Sequence, residues 1–180
     1  KLRLLLILSF VCPVWAEAIL PAPPEIAAIA YILVDAASGK VLVERNADNQ
    51  VPPASLTKIM TGYILADEIK SGHVSRQEVV QVSANAWAQN PLFKGSSLMW
   101  IEPGLEVSVS ELEHGLVVSS GNDASVALAE FLSDSEEIFS EKMNLYAELL
   151  SLDSTYYVNS HGLPDKGHLT TARDLANLSV

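Results

Sequence analysis

The sequence has little cysteine, few cations and no apolar run long enough to cross a membrane. Cys12 is the only cysteine among 180 residues, so no disulfide can form within the chain and packing alone must hold it together. Eleven lysine and arginine residues stand against 22 acidic ones, which gives a net charge of −11, and the cations form no cluster. The protein therefore lacks a basic surface that could bind a phosphate backbone, and we expect no nucleic-acid partner.

The first sixteen residues have the composition of an export signal. Lys1 and Arg3 precede an apolar run over 4–11, and Val14-Trp15-Ala16 has suitable residues at the two positions that a signal peptidase reads. A membrane span would need about 20 apolar residues. Bulky Phe10-Val11 before Cys12 also disfavours a lipoprotein anchor. We therefore predict an exported protein, in the periplasm or on the outer face of the cytoplasmic membrane.

The remaining chain predicts a Pro/Ala linker over 17–29 and one domain over 30–180. Its 49% hydrophobic content is typical of a globular domain with a sizeable core. A β-hairpin is predicted first and helices dominate afterwards, which indicates α+β or segregated α/β layers. Because the chain opens with Lys1 and its last helical pattern is still running at Val180, we expect that both ends are cut. The predicted strands are 30–34, 40–45 and 79–82, and the predicted helices are 55–71, 110–118, 123–132, 135–150 and one capped by Thr171.

Ser55-Leu56-Thr57-Lys58 is the most informative stretch of the chain. It follows Pro52-Pro53-Ala54 and opens an apolar pattern that predicts a buried helix face made of Leu56, Ile59, Met60, Tyr63 and Ile64. Ser55 is thus predicted at a helix N-terminus, where free N–H groups and the helix dipole favour negative charge. Lys58 lies three residues on, over the same side of the turn. A hydroxyl beside a lysine amine that burial can deprotonate is a nucleophile with its own base.

Such four-letter patterns are common, so the companion motifs matter. With 20 serines and 7 lysines, chance supplies about one S-x-x-K in this chain. Acyl transfer by serine and lysine also needs a further hydroxyl and an amide. Ser83-Ala84-Asn85 and Ser120-Gly121-Asn122 both offer them, and we favour the second because it forms a sharp link between two apolar helices. A loop pinned in that way can direct polar side chains into a cleft.

These motifs together resemble the low-molecular-mass penicillin-binding proteins of the D-alanyl-D-alanine carboxypeptidase type, the S11 serine peptidases. The likeness runs from about Tyr31 to the end of the chain. It is carried by the stretches from Pro53 to Thr61, Gly95 to Met99, Gly115 to Ala124, His161 to Pro164 and Thr170 to Asp174. The resemblance implies the β-lactamase/DD-peptidase-like α/β fold, here with an N-terminal hairpin and a helical cluster but without the later sheet strands.

The resemblance also implies roles for four residues. Ser55 becomes the acylated nucleophile, Lys58 its base, Ser120 a proton relay, and Asn122 a substrate-binding residue. The implied substrate is the peptidoglycan stem peptide, β-lactams are the implied inhibitors, and no cofactor or metal is required. In many relatives a C-terminal region that this sequence does not contain provides peripheral membrane association.

One family motif is missing. The Lys-Thr-Gly triplet does not occur in this sequence, where the nearest forms begin at Lys40, Lys94 and Lys166. In the family the triplet comes about a hundred residues after S-x-N. The strands that complete the sheet and half of the oxyanion hole come with it.

Three alternative functions stay open. A serine β-lactamase of the same fold needs a glutamate to activate water, and family spacing puts that position near Tyr156, where 154–159 offers no acid. A DD-endopeptidase is closer to the pattern. The third alternative is not an enzyme: it is a non-catalytic fragment that binds the cell wall or penicillin.

Other conspicuous residues have plainer interpretations. His73, His114, His161 and His168 lack partners at metal-like spacing, so we expect structural roles for them. Glu111, Glu113, Glu136, Glu137 and Glu141 are predicted as cap or solvated helix residues. Trp87 and Trp100 flank a segment that could contact substrate, but we expect both to pack.

Overall fold

The computed structural model describes residues 22–180. The predicted signal peptide, 1–16, and the first part of the linker lie outside the described residues. Residues 22–29, the part of the linker that is described, form neither helix nor strand. The division of the chain at residues 17 and 30 stays a prediction.

The predicted N-terminal hairpin is confirmed. Strands β1, Tyr31–Val34, and β2, Val41–Arg45, pair antiparallel with Leu33 opposite Val43. The turn between them is fixed by Asp35, whose carboxylate accepts hydrogen bonds from the N–H and the hydroxyl of Ser38. A second small antiparallel sheet joins β3, Val79–Gln81, to β4, Glu106–Ser108.

Five helices carry much of the hydrophobic core, and the first and third lie at its centre. Their apolar residues belong to two adjoining clusters. Met60, Ile64, Phe139 and Met143 belong to one, while Leu65, Leu112 and Leu128 belong to the other. The helices are α1, Thr57–Lys70; α2, Val109–Val118; α3, Asn122–Ser133; α4, Glu136–Leu149; and α5, Ala172–Ser179. Among residues 22–180, no helix combines the length and apolarity that a bilayer span requires.

Helix α2 begins at Val109, one residue before the predicted start at residue 110. Its capping box is formed by Ser108 and Glu111. The Ser108 hydroxyl accepts the Glu111 N–H, and the Glu111 carboxylate accepts the Ser108 N–H at 2.9 Å. Ser135 and Thr171 cap α4 and α5 through the same kind of side-chain acceptor, as predicted for Thr171.

The predicted buried face of α1 is wrong for three of its five residues. Met60 and Ile64 are fully buried, but Leu56, Ile59 and Tyr63 are exposed. Threonines occupy the buried positions between them, because the irregular segment 156–171 offers them hydrogen-bond partners. The Thr61 hydroxyl donates to the Ser160 carbonyl oxygen at 2.7 Å.

Candidate active site

A single cleft brings together three of the four predicted site residues. Ser55, Lys58 and Ser120 line a cavity of about 380 Å³ between α1 and the C-terminal end of α2. The remaining walls are mostly apolar. They are formed by Ile59, Gly62, Glu113, Leu116 and Val117.

Ser55 lies in a tight turn just before α1. Residues 54–56 form one 3₁₀ turn, and the α-helix itself begins at Thr57. The helix was predicted to start at Ser55, so Ser55 lies two residues before the observed start. Ala54 has a φ of 50°, a left-handed conformation that a non-glycine residue seldom adopts. The Ser55 side chain is exposed to the cleft. The strained turn therefore presents the hydroxyl at the positive end of α1.

The Lys58 amine is buried between two oxygen acceptors. Its Nζ donates to Oδ1 of Asn122 at 2.6 Å and to the carbonyl oxygen of His161 at 2.7 Å. Burial lowers the pKa of Lys58 from its ordinary value to about 8, and the charge of Asp123 opposes that shift. Near neutral pH a useful fraction of this amine is consequently uncharged and able to accept a proton.

Ser120 and Asn122 are held by the sharp link between α2 and α3. Ser120 has a φ of 52°, and the Gly121 N–H donates to the carbonyl of Gly115 at 3.0 Å. Asn122 donates its own N–H to the Ser97 carbonyl oxygen at 2.9 Å. Because the protonated form of Lys58 has only donors, the Asn122 atom that faces it is the amide oxygen. The Asn122 NH₂ group then remains to donate to a ligand.

The competing triplet, Ser83-Ala84-Asn85, lies elsewhere. Its serine and asparagine side chains both donate to the carboxylate of Glu130, at 2.6 and 2.8 Å. Among residues 22–180, no hydrogen bond joins this triplet to Lys58.

Asp123 ties a neighbouring loop to the α2–α3 link. Its buried carboxylate accepts the N–H groups of Met99 and Trp100, both at 2.8 Å, and of Ile101 at 3.2 Å. It also accepts the N–H of Ala124 at 2.9 Å. Three of these four donors belong to the loop, so one carboxylate holds the loop beside Asn122. The Trp100 side chain is nevertheless 75% exposed, so the prediction that it packs is wrong.

The segment 158–168 supports the site through its main chain and two buried histidines. Because the Val158 N–H donates to Nδ1 of His168, Nε2 carries the proton and donates to the Thr57 hydroxyl at 2.7 Å. His161 accepts the Leu163 N–H at Nδ1, and burial together with the Lys58 charge lowers its pKa to about 4. Both rings are therefore neutral near pH 7 and have structural contacts.

The acidic residues near this region differ from their predicted roles. Glu113 was predicted as a cap or solvated residue, but it lines the cleft, and Arg76 binds both of its oxygens at 2.8 and 2.9 Å. Glu136 was also predicted as solvated, yet it is half-buried and accepts the N–H and hydroxyl of Ser160 at 2.9 and 2.6 Å. Burial raises the pKa of Glu136. Glu111 is a cap residue, and Glu137 and Glu141 are exposed, as predicted.

Sequence reasoning missed one of the two acceptors that hold the Lys58 amine. The acceptor from His161 is a main-chain carbonyl, which leaves no mark in the sequence. Asp123 gave one usable signal, since a carboxylate directly after S-x-N at a helix start can accept loop N–H groups. Among residues 22–180, no three His, Cys, Asp or Glu side chains are grouped so that they could hold a metal ion.

Comparison with solved structures defines the fold. Residues of this chain superpose on penicillin binding protein 6B from Escherichia coli with a TM-score of 0.84 and 46% identity, covering 88% of this chain and 50% of that one. Penicillin binding protein 5 from Haemophilus influenzae superposes with a TM-score of 0.85 and 40% identity, covering 88% and 46%. The fold is therefore that of penicillin-binding proteins and DD-peptidases, as predicted.

The family follows from the sequence match. The profile of the peptidase S11 family, described as D-alanyl-D-alanine carboxypeptidase, matches residues 17–180, and the chain belongs to this family. The D-alanyl-D-alanine carboxypeptidase DacA of Escherichia coli K12 is 45% identical over 161 residues, which are 89% of this chain and 40% of that protein. The chain thus spans less than half the length of this curated relative.

Proposed function

We propose that this chain carries the nucleophile and the base of a serine-type D-Ala-D-Ala carboxypeptidase. Such an enzyme removes the terminal D-alanine from peptidoglycan stem peptides. The relative with 45% identity bears that name, and the four residues expected from the sequence lie around one cleft or its buried floor. The observation that carries the proposal is the buried amine of Lys58, with its pKa of about 8, in the cleft that Ser55 lines.

Acylation would begin at Ser55. Its Oγ attacks the carbonyl carbon of the penultimate D-alanine while the hydroxyl proton passes to the neutral amine of Lys58. The C–N bond to the terminal D-alanine then breaks. The proton returns through the Ser120 hydroxyl to the departing nitrogen, which leaves as free D-alanine. An ester between Ser55 and the shortened peptide remains.

Deacylation reverses the proton path with water as the nucleophile. A water molecule attacks the ester carbonyl and gives one proton to the Lys58 amine. The Ser55 oxygen leaves and is reprotonated. The Ser55 N–H, in the turn just before α1, supplies one donor to the oxyanion in both steps. The NH₂ group of Asn122 donates to an amide carbonyl of the bound peptide.

Location and partners follow from the same proposal. The peptidoglycan substrate lies outside the cytoplasm, and residues 1–16 would direct export to the periplasm or the outer face of the cytoplasmic membrane. β-Lactams would acylate Ser55 as substrate mimics. Peripheral membrane association would require a region beyond this sequence.

The test is D-alanine release together with trapping of the acyl-enzyme. The longest reading frame containing this sequence is expressed and incubated with a pentapeptide ending in D-Ala-D-Ala. We expect release of one D-alanine per peptide and covalent labelling by a fluorescent penicillin. Ser55→Ala should abolish both and leave the melting temperature within a few degrees. Labelling that survives in Ser55→Ala would overturn the assignment of the nucleophile.

A further inference from the structure

We propose that Glu136 is a positioning residue for Lys58, the proposed base. Its carboxylate would fix Ser160 and His161, so that the carbonyl oxygen of His161 holds the lysine amine in the cleft that Ser55 lines. This inference deepens the proposed function and rests on it, because it says what orients the base. Glu136 would act only through this segment, since among residues 22–180 no hydrogen bond joins it to Lys58 or Ser55.

Ser160 is hydrogen-bonded by three different helices. Its N–H and its hydroxyl donate to Oε1 of Glu136, in the first turn of α4, at 2.9 and 2.6 Å. Its carbonyl oxygen accepts the hydroxyls of Thr61 on α1 and Ser125 on α3, both at 2.7 Å. Ser160 is also fully buried. Because both its N–H and its carbonyl are bonded to rigid helices, this part of the irregular segment has little freedom to shift.

The next residue supplies the acceptor for the base. The carbonyl oxygen of His161 accepts the Nζ of Lys58 at 2.7 Å, and Asn122 provides the second acceptor at 2.6 Å. The His161 ring is buried, and its Nε2 lies 3.5 Å from the same Oε1 of Glu136. One carboxylate oxygen therefore bonds Ser160 and faces the ring of the residue that holds the amine.

The start of α4 does not by itself explain why Glu136 turns inward. Ser135 already caps this helix, and Glu137 in the same turn is exposed and complements the helix dipole from solvent. The Glu136 side chain is only 22% exposed. Its burial, with the nearby charges of Glu137 and Glu130, raises its pKa. A carboxylate taken out of water in this way costs free energy, and its two hydrogen bonds to Ser160 offset that cost.

Loss of this support should change Lys58 in two ways. If His161 shifts, the ammonium form loses one of its two acceptors, so the pKa of Lys58 should fall. The neutral amine also loses its fixed orientation, so acylation should slow even where every amine is neutral. Asp123, whose charge raises the pKa of Lys58, lies on α3 and is unaffected by the change. A residue needed only for stability would produce neither effect in protein that remains folded.

Three substitutions separate the position of the carboxylate from its charge. In the longest reading frame containing this sequence, the rate of acylation by a fluorescent penicillin is measured on both sides of the Lys58 pKa. Glu136→Ala should lower the plateau rate about 10-fold and move the midpoint down by about half a unit to one unit, the strength of one hydrogen bond to a charged group. Glu136→Gln should keep both values, because an amide oxygen can accept both donors of Ser160. Glu136→Asp keeps the charge on a shorter side chain and should behave like Glu136→Ala.

Glu137→Ala is the matched control, at an exposed carboxylate in the same helical turn, and it should change neither value. An unmoved midpoint in folded Glu136→Ala and Glu136→Asp, or failure of both to fold, would make Glu136 a residue of stability alone. Losses in Glu136→Gln as large as those in Glu136→Ala would show that charge decides. Each of these results overturns this inference and leaves the proposed function intact. If penicillin does not acylate the unsubstituted protein, the proposed function fails and this inference with it.

Discussion

Gly162 lies directly against the carbonyl of Ala54, the residue before Ser55. A Cβ atom at Gly162 would be 1.8 Å from the Ala54 carbonyl oxygen and 2.9 Å from the Thr57 hydroxyl. Gly162 also has a φ of +92°, which glycine adopts readily. Only a glycine allows the segment that binds Lys58 to lie this close to the turn that presents Ser55.

The first prediction separates this contact from backbone strain. Gly162→Ala should displace the turn at Ser55 and lower the rate of acylation by penicillin at least 10-fold, with a clear drop in melting temperature. Gly167 is a matched control, because it also has a φ of +92° but has no atom within 4 Å of an added Cβ. Gly167→Ala should cost about 1 kcal/mol of stability and leave acylation unchanged. Similar acylation rates in both variants would contradict the prediction.

Local patterns in the sequence predicted much of this site, and long-range contacts explain what they missed. Ser55 and Lys58 share one helical turn, and the S-x-N triplet stands at a helix junction. Both are short-range features. The acceptor at His161, by contrast, is a backbone atom 103 residues from Lys58. The prediction of the buried face of α1 failed for the same reason. Threonines are buried there because they form hydrogen bonds with an irregular segment near Ser160.

The second prediction concerns Lys58 as a base. Lys58→Arg keeps a cation in the cleft, but a guanidinium does not lose its proton near neutral pH. Acylation should fall by about 10² or more. Lys70→Arg is the control, at an exposed lysine in the last turn of the same helix, and it should have no effect. Equal and mild losses in the two variants would show that Lys58 does not act as the base.

The third prediction is the pH dependence of acylation. Because the neutral amine is the active form and the pKa of Lys58 is about 8, the rate should rise with pH and level off above about pH 8 to 9. The neutral fraction increases from about one in eleven at pH 7 to about one half at pH 8. His161, with its pKa near 4, stays neutral throughout this range.

A negative charge placed beside Lys58 should shift the pH dependence of the acylation rate. Asn122→Asp puts a carboxylate next to the amine, which favours the ammonium form and raises its pKa. The midpoint of the acylation profile should shift to higher pH, whatever the absolute rate. A midpoint that does not move would indicate that the profile reports another group.

The fourth prediction is export. The charged start, the apolar run and the residues around Ala16 predict cleavage after that residue. Mass spectrometry of the secreted protein should find Glu17 at the mature N-terminus, or a residue within a few positions of it. An intact cytoplasmic N-terminus would contradict the export signal.

The last prediction is that residues 17–180 alone will not turn over D-Ala-D-Ala peptides. The β1–β2 hairpin forms a sheet of only two strands, which is marginal in water, and its Leu33 and Leu42 are more than half exposed. Tyr63 on α1 is also exposed, at 40%. We expect further strands to cover these apolar side chains, because isolated faces of this kind lead to association.

The site itself would also be incomplete. Sequence resemblance places the second half of the oxyanion hole with the missing Lys-Thr-Gly triplet, and removal of one oxyanion donor typically costs about 10²–10³ in rate. The experiment compares D-alanine release by residues 17–180 with release by a reading frame extended through that triplet, at equal concentrations of folded protein. We expect turnover only from the extended protein. Comparable turnover by the short chain would show that the cleft formed by Ser55, Lys58 and Ser120 is sufficient, and that the apolar side chains exposed on the hairpin need no cover for activity.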